Sequence, residues 1–273
     1  MVRGRGASSN PRNRFEPLYY APDPDSGEPQ DPASATELLR DTSQSILASN
    51  NSPDIGFEAS INAYRGCEHG CIYCYARPTH EYLGFSAGLD FETKILVKPE
   101  AAGLLRRELS SRRWKPQVVV MSGVTDPYQP VERRLRLTRA CLEVLAEFRN
   151  PVSIITKNHL VTRDIDILTE LARYRAVSVA LSVTSLDSSL SRVLEPRASH
   201  PRQRLAAIDE LSQAGVPVGM MVAPLIPALN EYEMPSIIAA GHKAGARFAG
   251  YTLVRLPYGV APLFENWLDE HAP

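Results

Sequence analysis

The sequence is short of three things. It holds only four cysteines in 273 residues, at positions 67, 71, 74 and 141, too few and too clustered for a disulfide-scaffolded secreted domain. It has no surplus of either charge, with 30 Lys and Arg against 31 Asp and Glu. That excludes a protein that coats nucleic acid by bulk charge alone. It has no apolar run near the ~18 residues of a membrane span. The basic opening stretch MVRGRGASSNPRNRF is not followed by the apolar core of a secretory signal. A cytoplasmic location without membrane contact is therefore expected. What is present is ordinary globular material, 44% hydrophobic, enough for a sizeable core.

Residues 1–56 differ from the rest. Arg3, Arg5, Arg12 and Arg14 occupy the opening without an acid, and positions 16–58 carry nine acids against Arg40 alone. Pro, Ser and Asp dominate, and no apolar period persists. This predicts a mostly disordered arm with a short helix near Ser34–Leu39, where Ser34 and Glu37 have capping-box spacing. From Phe57 onward six apolar, β-branched runs recur, at 59–64, 118–122, 152–156, 176–183, 216–224 and 248–256. Amphipathic stretches lie between them: Cys141, Val144, Leu145 and Phe148 share one face, as do Ile165, Leu168 and Leu171, and Leu205, Ile208 and Leu211. Pro99 and Pro201 suit first helical turns, Gly215 suits a C-terminal cap, and Asn230 with Glu233 suits a capping box. The alternation predicts an α/β protein with a parallel sheet. An open doubly wound sheet and a barrel both fit the beat. A complete eight-unit barrel takes ~250 residues, so six units over 57–257 point to a partial (β/α)6 barrel, with 258–273 as a C-terminal extension. Either architecture gathers ligands at the C-terminal ends of the strands.

Three cysteines fall in the segment Gly66-Cys67-Glu68-His69-Gly70-Cys71-Ile72-Tyr73-Cys74-Tyr75, directly after the first β run. Thiolates in this Cys-x3-Cys-x2-Cys spacing can converge on one metal centre, and Gly66 and Gly70 let the backbone wrap it closely. A cubane of four irons normally takes four cysteines. The remaining cysteine, Cys141, falls on the apolar face of a predicted helix and reads as core. One iron would then lack a protein ligand and stand open to a small molecule. The competing arrangement is a structural Cys3His zinc site with His69 or His80 as fourth ligand, although zinc sites usually use paired Cys-x2-Cys knuckles. A cysteine cluster without metal is the third option.

With aromatic Tyr73 before the last cysteine, this pattern after the first strand of a six-unit barrel resembles the radical S-adenosylmethionine (radical SAM) family. More narrowly, the chain is similar to its spore photoproduct lyase-like, or DNA repair photolyase-like, branch. The segments that carry this are CEHGCIYCYAR at 67–77, SGVTDPYQPVE at 122–132 with Leu137-Thr138-Arg139 beyond it, Ile155-Thr156-Lys157 and Leu194-Glu195-Pro196-Arg197. The resemblance implies a 4Fe–4S cluster on Cys67, Cys71 and Cys74. It implies SAM chelating the open iron through its amine and carboxylate, and an electron donor of the flavodoxin or ferredoxin type. Reductive cleavage of SAM would yield a 5′-deoxyadenosyl radical that takes a hydrogen from substrate. The cofactors carry that chemistry, and the protein aims and shields it.

The resemblance also assigns roles at the strand ends. The second run ends in Ser122-Gly123-Val124-Thr125-Asp126, where many members have a Gly-Gly-Glu-like turn that receives the methionyl amine. Ser122, Thr125 and Asp126 are the candidates here, and Asp126 before Pro127 also suits a plain turn. Lys157 ends the third run and is expected on the SAM carboxylate. Ser182 and Thr184 end the fourth and are expected on the ribose or carboxylate, or else on local backbone. Arg197 reads as a clamp on SAM or substrate, or as an ion-pair partner of Glu195 or another acid. Tyr73 and Tyr75, which bracket Cys74, and Arg255, at the end of the sixth run, are the candidates beside the radical. Met220 and Met221 read as core. Between 103 and 149 stand ten Lys and Arg against five acids, a grip for a polynucleotide or plainly solvated helices.

The leading expectation is a radical SAM enzyme acting on nucleic acid or a related substrate. Modification of a peptide or small molecule is the second reading, and a non-catalytic iron–sulfur or zinc interaction module the third. The lyase-like branch implies a hydrogen-donor cysteine near the end of the second run, and residues 121–126 contain none. Relatives of the branch continue past the sixth run, so the part that closes the active site is expected to be missing here or supplied by a partner.

Overall fold

A computed structural model describes residues 4–16, 35–49 and 56–272. Ten strands are described: β1 (Glu37–Arg40), β2 (Leu47–Ser49), β3 (Ala59–Ile61), β4 (Tyr64–Arg65), β5 (Lys94–Val97), β6 (Val119–Met121), β7 (Val152–Thr156), β8 (Val177–Ser182), β9 (Val218–Leu225) and β10 (Ala249–Leu253). The helices are α1 (Leu89–Thr93), α2 (Ala101–Leu109), α3 (Glu132–Leu135), α4 (Leu137–Glu147), α5 (Ile165–Arg173), α6 (Ser188–Leu194), α7 (Pro201–Gln213), α8 (Met234–Lys243) and α9 (Val260–His271). The main sheet runs β10-β9-β8-β7-β6-β3-β2. All its neighbours are parallel except the edge pair β2–β3. This is the six-unit parallel sheet of a partial barrel, each of the six apolar runs supplying one strand. Among the described residues no helix is long and apolar enough to cross a membrane.

Strand alternation explains how the layers separate. In β8, Val177, Val179 and Leu181 face the outer helices, where Leu168 and Leu171 of α5 and Ile208 and Leu211 of α7 meet them in one buried core. Burying each such side chain contributes roughly 1.5–3 kcal/mol. Cys141 is fully buried in the same core on α4, as its helical position predicts. Ser182 closes β8 and leads into Thr184, at the rim where loops collect. A second, smaller core joins Ala7, Ile72, Tyr73, Leu194 and the α9 residues Phe264 and Trp267. Its position puts the cysteine loop between the sheet and the C-terminal helix.

The region 1–56 departs from expectation where it is described. Ala7 and Asn13 are buried and Arg5 nearly so, and residues 4–16 lie along the segment 81–92 through hydrogen bonds such as Asn13 Nδ2 to the Glu81 carbonyl at 2.9 Å. The helix expected near Ser34–Leu39 is the strand β1, paired parallel with β5 from Glu37 opposite Lys94 to Arg40 opposite Val97; Ser34 itself lies outside the described residues. Leu38 and Leu39 gain cross-strand partners there that a solvated single helical turn lacks. The stretch 17–34 also lies outside the described residues. Pro201 opens α7 and Gly215 follows its end at φ 79°, as predicted, whereas Pro99 stands one residue ahead of the Glu100 cap of α2. Asn230 does not cap. Its side chain accepts from Ile226 N at 2.6 Å and donates to the Thr184 and Pro224 carbonyls at 2.7 and 3.0 Å, tying two loops together. Glu233 likewise reaches away, to Ser185 Oγ and Leu186 N.

Candidate active site

The cysteine loop is held from both sides. Cys67 N donates to the Phe91 carbonyl and Ile72 N to the Leu194 carbonyl. Thr125 Oγ1 donates to the Gly66 carbonyl at 2.6 Å, and Gln129 bridges the Gly66 carbonyl and Glu68 N. Gly66 sits at φ 82° with His80 and Phe91 so near that a Cβ would lie 2.8 and 2.9 Å from them, so only glycine fits. Beneath the loop, the fully buried Arg77 donates through Nε and Nη2 to the Cys71 carbonyl at 3.0 and 2.9 Å. Its charge is met by the equally buried Glu92 at 2.5 Å. All three thiols are free. Burial raises each above the ordinary thiol range; Asp126 and the other thiols add to this at Cys67, and Glu195 at Cys71.

Next to Cys71 lies a buried ionic network. Lys157 Nζ, at the end of β7, is 3.0 Å from Glu195 Oε1, 3.0 Å from Thr184 Oγ1 and 2.9 Å from the Ala223 carbonyl. Glu195 also accepts from the Tyr73 hydroxyl, from Thr184 Oγ1 and from the guanidinium of Arg204. Burial opposes its charge, but Arg204 and Lys157 hold its carboxyl well below the usual carboxylate range. Glu195 is therefore shared by two cations, Lys157 and Arg204, beside the cysteine loop.

A second carboxylate, Asp126 at the end of β6, ties the loop to β7. It accepts from Thr156 Oγ1 at 2.6 Å and Lys157 N at 2.8 Å, and His69 Nδ1 lies 3.4 Å away. Burial works against its ionised form, yet His69 and these donors leave its carboxyl below the ordinary value. His69 Nε2 faces Asn158 Nδ2 at 3.2 Å, so both ring nitrogens are engaged. His80 is buried between Phe85 and Phe91, with Nε2 on the Lys94 carbonyl and Nδ1 without a hydrogen-bond partner. Burial pushes its pKa down to about 4. Among the described residues no three His, Cys, Asp or Glu side chains close around a single ion. A cluster of several irons makes no such demand, because each thiolate binds its own iron.

A family model described as "Radical SAM superfamily" matches residues 61–240. The chain belongs to this superfamily. It is 39% identical over 206 residues to the uncharacterized protein Rv2578c of Mycobacterium tuberculosis, a match covering 76% of this chain and 61% of that one. It is 28% identical over 218 residues to the uncharacterized protein MJ0683 of Methanocaldococcus jannaschii, covering 80% and 78%. The chain thus spans about three fifths of the mycobacterial relative's length. In fold it is similar to spore photoproduct lyase. The form with bound AdoMet and dinucleoside spore photoproduct matches with TM-score 0.61 at 18% identity, covering 89% of this chain and 69% of that one.

For a radical SAM protein the donor set fits the cluster: three unpaired thiols on a glycine-shaped loop, with the remaining cysteine locked in the core. Around it, the structure redistributes several expected roles. Thr125 spends its hydroxyl on the loop backbone, and Asp126 holds the Thr156–Lys157 corner rather than facing outward. Ser182 contributes its carbonyl, which accepts from Arg204 at 2.9 Å, while Ser122 is half-buried on the turn after β6. Thr184 and Lys157 do meet. Tyr73 is buried on Glu195, whereas Tyr75 is 60% exposed and donates to the Gly123 carbonyl at 2.8 Å. Arg197 forms the ion pair that was the alternative to a clamp, with Glu68 at 3.1 Å. With Arg133 and Arg134 it lines an open cavity of about 500 Å³ beside the loop. Arg255 is exposed beyond β10. Two cations of the basic stretch are ion-paired: Arg106 with Glu147, and Arg139 with Asp164 and Asp166. Sequence reasoning missed Arg204, Gln129, Arg77 and Glu92. Arg77 and Gln129 stand within the segments that carry the family resemblance, whereas Arg204 and Glu92 stand in no pattern.

Proposed function

We propose that the protein is a radical SAM enzyme that binds a 4Fe–4S cluster through Cys67, Cys71 and Cys74 and cleaves SAM reductively. The observation that carries this is the juxtaposition of three free thiols with a buried network in which Lys157 and Arg204 share Glu195. When bound, cluster and SAM together supply reductive cleavage of the sulfonium and a 5′-deoxyadenosyl radical able to take a hydrogen from substrate. The protein's own residues position and shield. Arg77 fixes the Cys71 carbonyl. Thr125 and Gln129 fix Gly66, and Lys157, already partly neutralised by Glu195, presents an ammonium to the carboxylate of SAM. Tyr75, exposed beside Cys74, is the tyrosine open to a substrate. The cytoplasm, where thiols stay reduced, is the compartment that suits three free cysteines.

The substrate class we favour is nucleic acid. Arg133, Arg134 and Arg197 around the open cavity favour an anionic partner, and an acidic electron carrier of the flavodoxin or ferredoxin type is the protein partner that chemistry admits. Repair of a thymine photoproduct is not the reaction we favour. No thiol stands at the end of β6, and Cys141 is sealed in the core, so nothing there returns a hydrogen to a product radical. Anaerobic incubation of reconstituted, reduced protein with SAM should yield 5′-deoxyadenosine and methionine. With a dinucleotide photoproduct added, repaired dinucleotide should stay far below deoxyadenosine. No deoxyadenosine from cluster-loaded protein would refute the enzyme reading, and clean repair over many turnovers would refute the substrate argument.

A further inference from the structure

Residues 4–14 bring almost nothing apolar to the fold: Ala7 is the one aliphatic side chain they bury. They are held by polar contacts, and these converge on the cysteine loop. Glu92 is wholly buried, and its carboxylate accepts from Gly6 N at 3.0 Å, from Ala7 N at 2.8 Å and from Arg77 Nη2 at 2.5 Å. The same Arg77 grips the Cys71 carbonyl. Arg5 adds a bond from Nη1 to the Glu92 carbonyl at 2.7 Å. The approach is close: a Cβ on Gly6 would lie 1.8 Å from the Gly70 carbonyl oxygen and 3.2 Å from Ile72 N, and one on Gly70 would lie 2.7 Å from Glu92 Oε2. Farther along, Ser86 Oγ donates to the Pro11 carbonyl at 2.6 Å, and Arg14 pairs with Glu81 at 2.7 Å and lies 3.6 Å over the Tyr258 ring.

We infer that residues 4–14 are a fitted wall of the cluster pocket, and that Glu92 is the positioning residue coupling this wall to the loop between Cys67 and Cys71. This rests on the cysteines holding a cluster. A carboxylate buried with one guanidinium needs further donors to offset its desolvation. The backbone N–H groups of residues 6 and 7 supply them, so the wall and the loop are ordered together. Ala7 shares one buried cluster with Cys71, Ile72 and Tyr73, so the wall in place keeps water and oxygen from that side. Without the Glu92 charge the segment has too little apolar surface to stay docked.

The test uses the full chain, with Gly6→Ala, Glu92→Gln and, as a control, Gly103→Ala, whose Cβ would meet nothing within 4 Å. After anaerobic reconstitution, iron per chain and visible absorption are measured, then the rate of bleaching in air, with far-ultraviolet circular dichroism to check folding. Both wall variants should bleach about tenfold faster than wild type, the local opening that loss of one charge-assisted hydrogen bond permits, and the control should not. Folded variants that load and bleach like wild type would overturn the inference. If Glu92→Gln does not fold, Gly6→Ala decides alone. Wild-type protein that takes up no cluster would instead overturn the reading of the cysteines on which the inference stands.

Discussion

Removal of Lys157 tests the charge balance of the site most directly. Its ammonium is mostly buried and contacts Glu195, Thr184 and the Ala223 carbonyl at 2.9–3.0 Å. Lys157→Ala leaves Glu195 still held by Arg204, Tyr73 and Thr184, so the fold should survive. What disappears is one of the two cations that share Glu195. A charge-assisted contact to a partly desolvated carboxylate contributes about 1.5–3 kcal/mol, so SAM should bind roughly tenfold to a hundredfold more weakly, at about 1.4 kcal/mol per decade. Glu195→Gln changes the balance the other way, to two cations without a carboxylate. Any protein that folds should bind SAM no more weakly than wild type. Its stability should drop by about 3–5 kcal/mol, because two buried cations lose their partner. Equilibrium dialysis with labelled SAM on cluster-loaded protein measures the affinities, and urea unfolding measures the cost. Unchanged SAM affinity in folded, cluster-loaded Lys157→Ala would refute the argument, as would weaker binding by Glu195→Gln.

Two further outcomes follow from the same geometry. Replacement of Cys67, Cys71 or Cys74 by Ala should abolish the visible absorption of the reconstituted cluster, while Cys141→Ala should keep it and lose only packing; loss of the cluster in Cys141→Ala would sink the open-iron argument. His80 makes stability pH-dependent. Burial moves its pKa from 6.5 to about 4, so the unfolded chain gains a proton that the native state refuses. That contribution is full above about pH 6.5 and is lost as pH falls toward 4, amounting to about 2 kcal/mol by about pH 5. Urea unfolding of wild type and His80→Leu at both pH values measures it, and an equal pH response in the two proteins would exclude His80 as the source.

The six strands and the helices between them were legible in the sequence because local pattern dictates them. β-branched runs of period two and apolar faces of period 3.6 need no knowledge of distant residues. The cysteine loop was legible for the same reason, since its three thiols and two glycines stand within nine residues. Only the tertiary structure decided what surrounds that loop. Arg204 lies nine residues from Glu195 and Lys157 thirty-eight before it, and nothing in their spacing announces that both cations share one carboxylate. That Arg197 would pair with an acid was legible; that the acid is Glu68, which the turn after α6 brings to its guanidinium, was not. The opening segment misled most. Its polar composition reads as a solvated arm, since composition measures how much apolar surface a segment can bury. It does not report that a buried carboxylate at Glu92, eighty-five residues away, has open acceptors for its backbone. Long-range polar satisfaction leaves no periodicity in a sequence, and in this protein it is what builds the wall of the site.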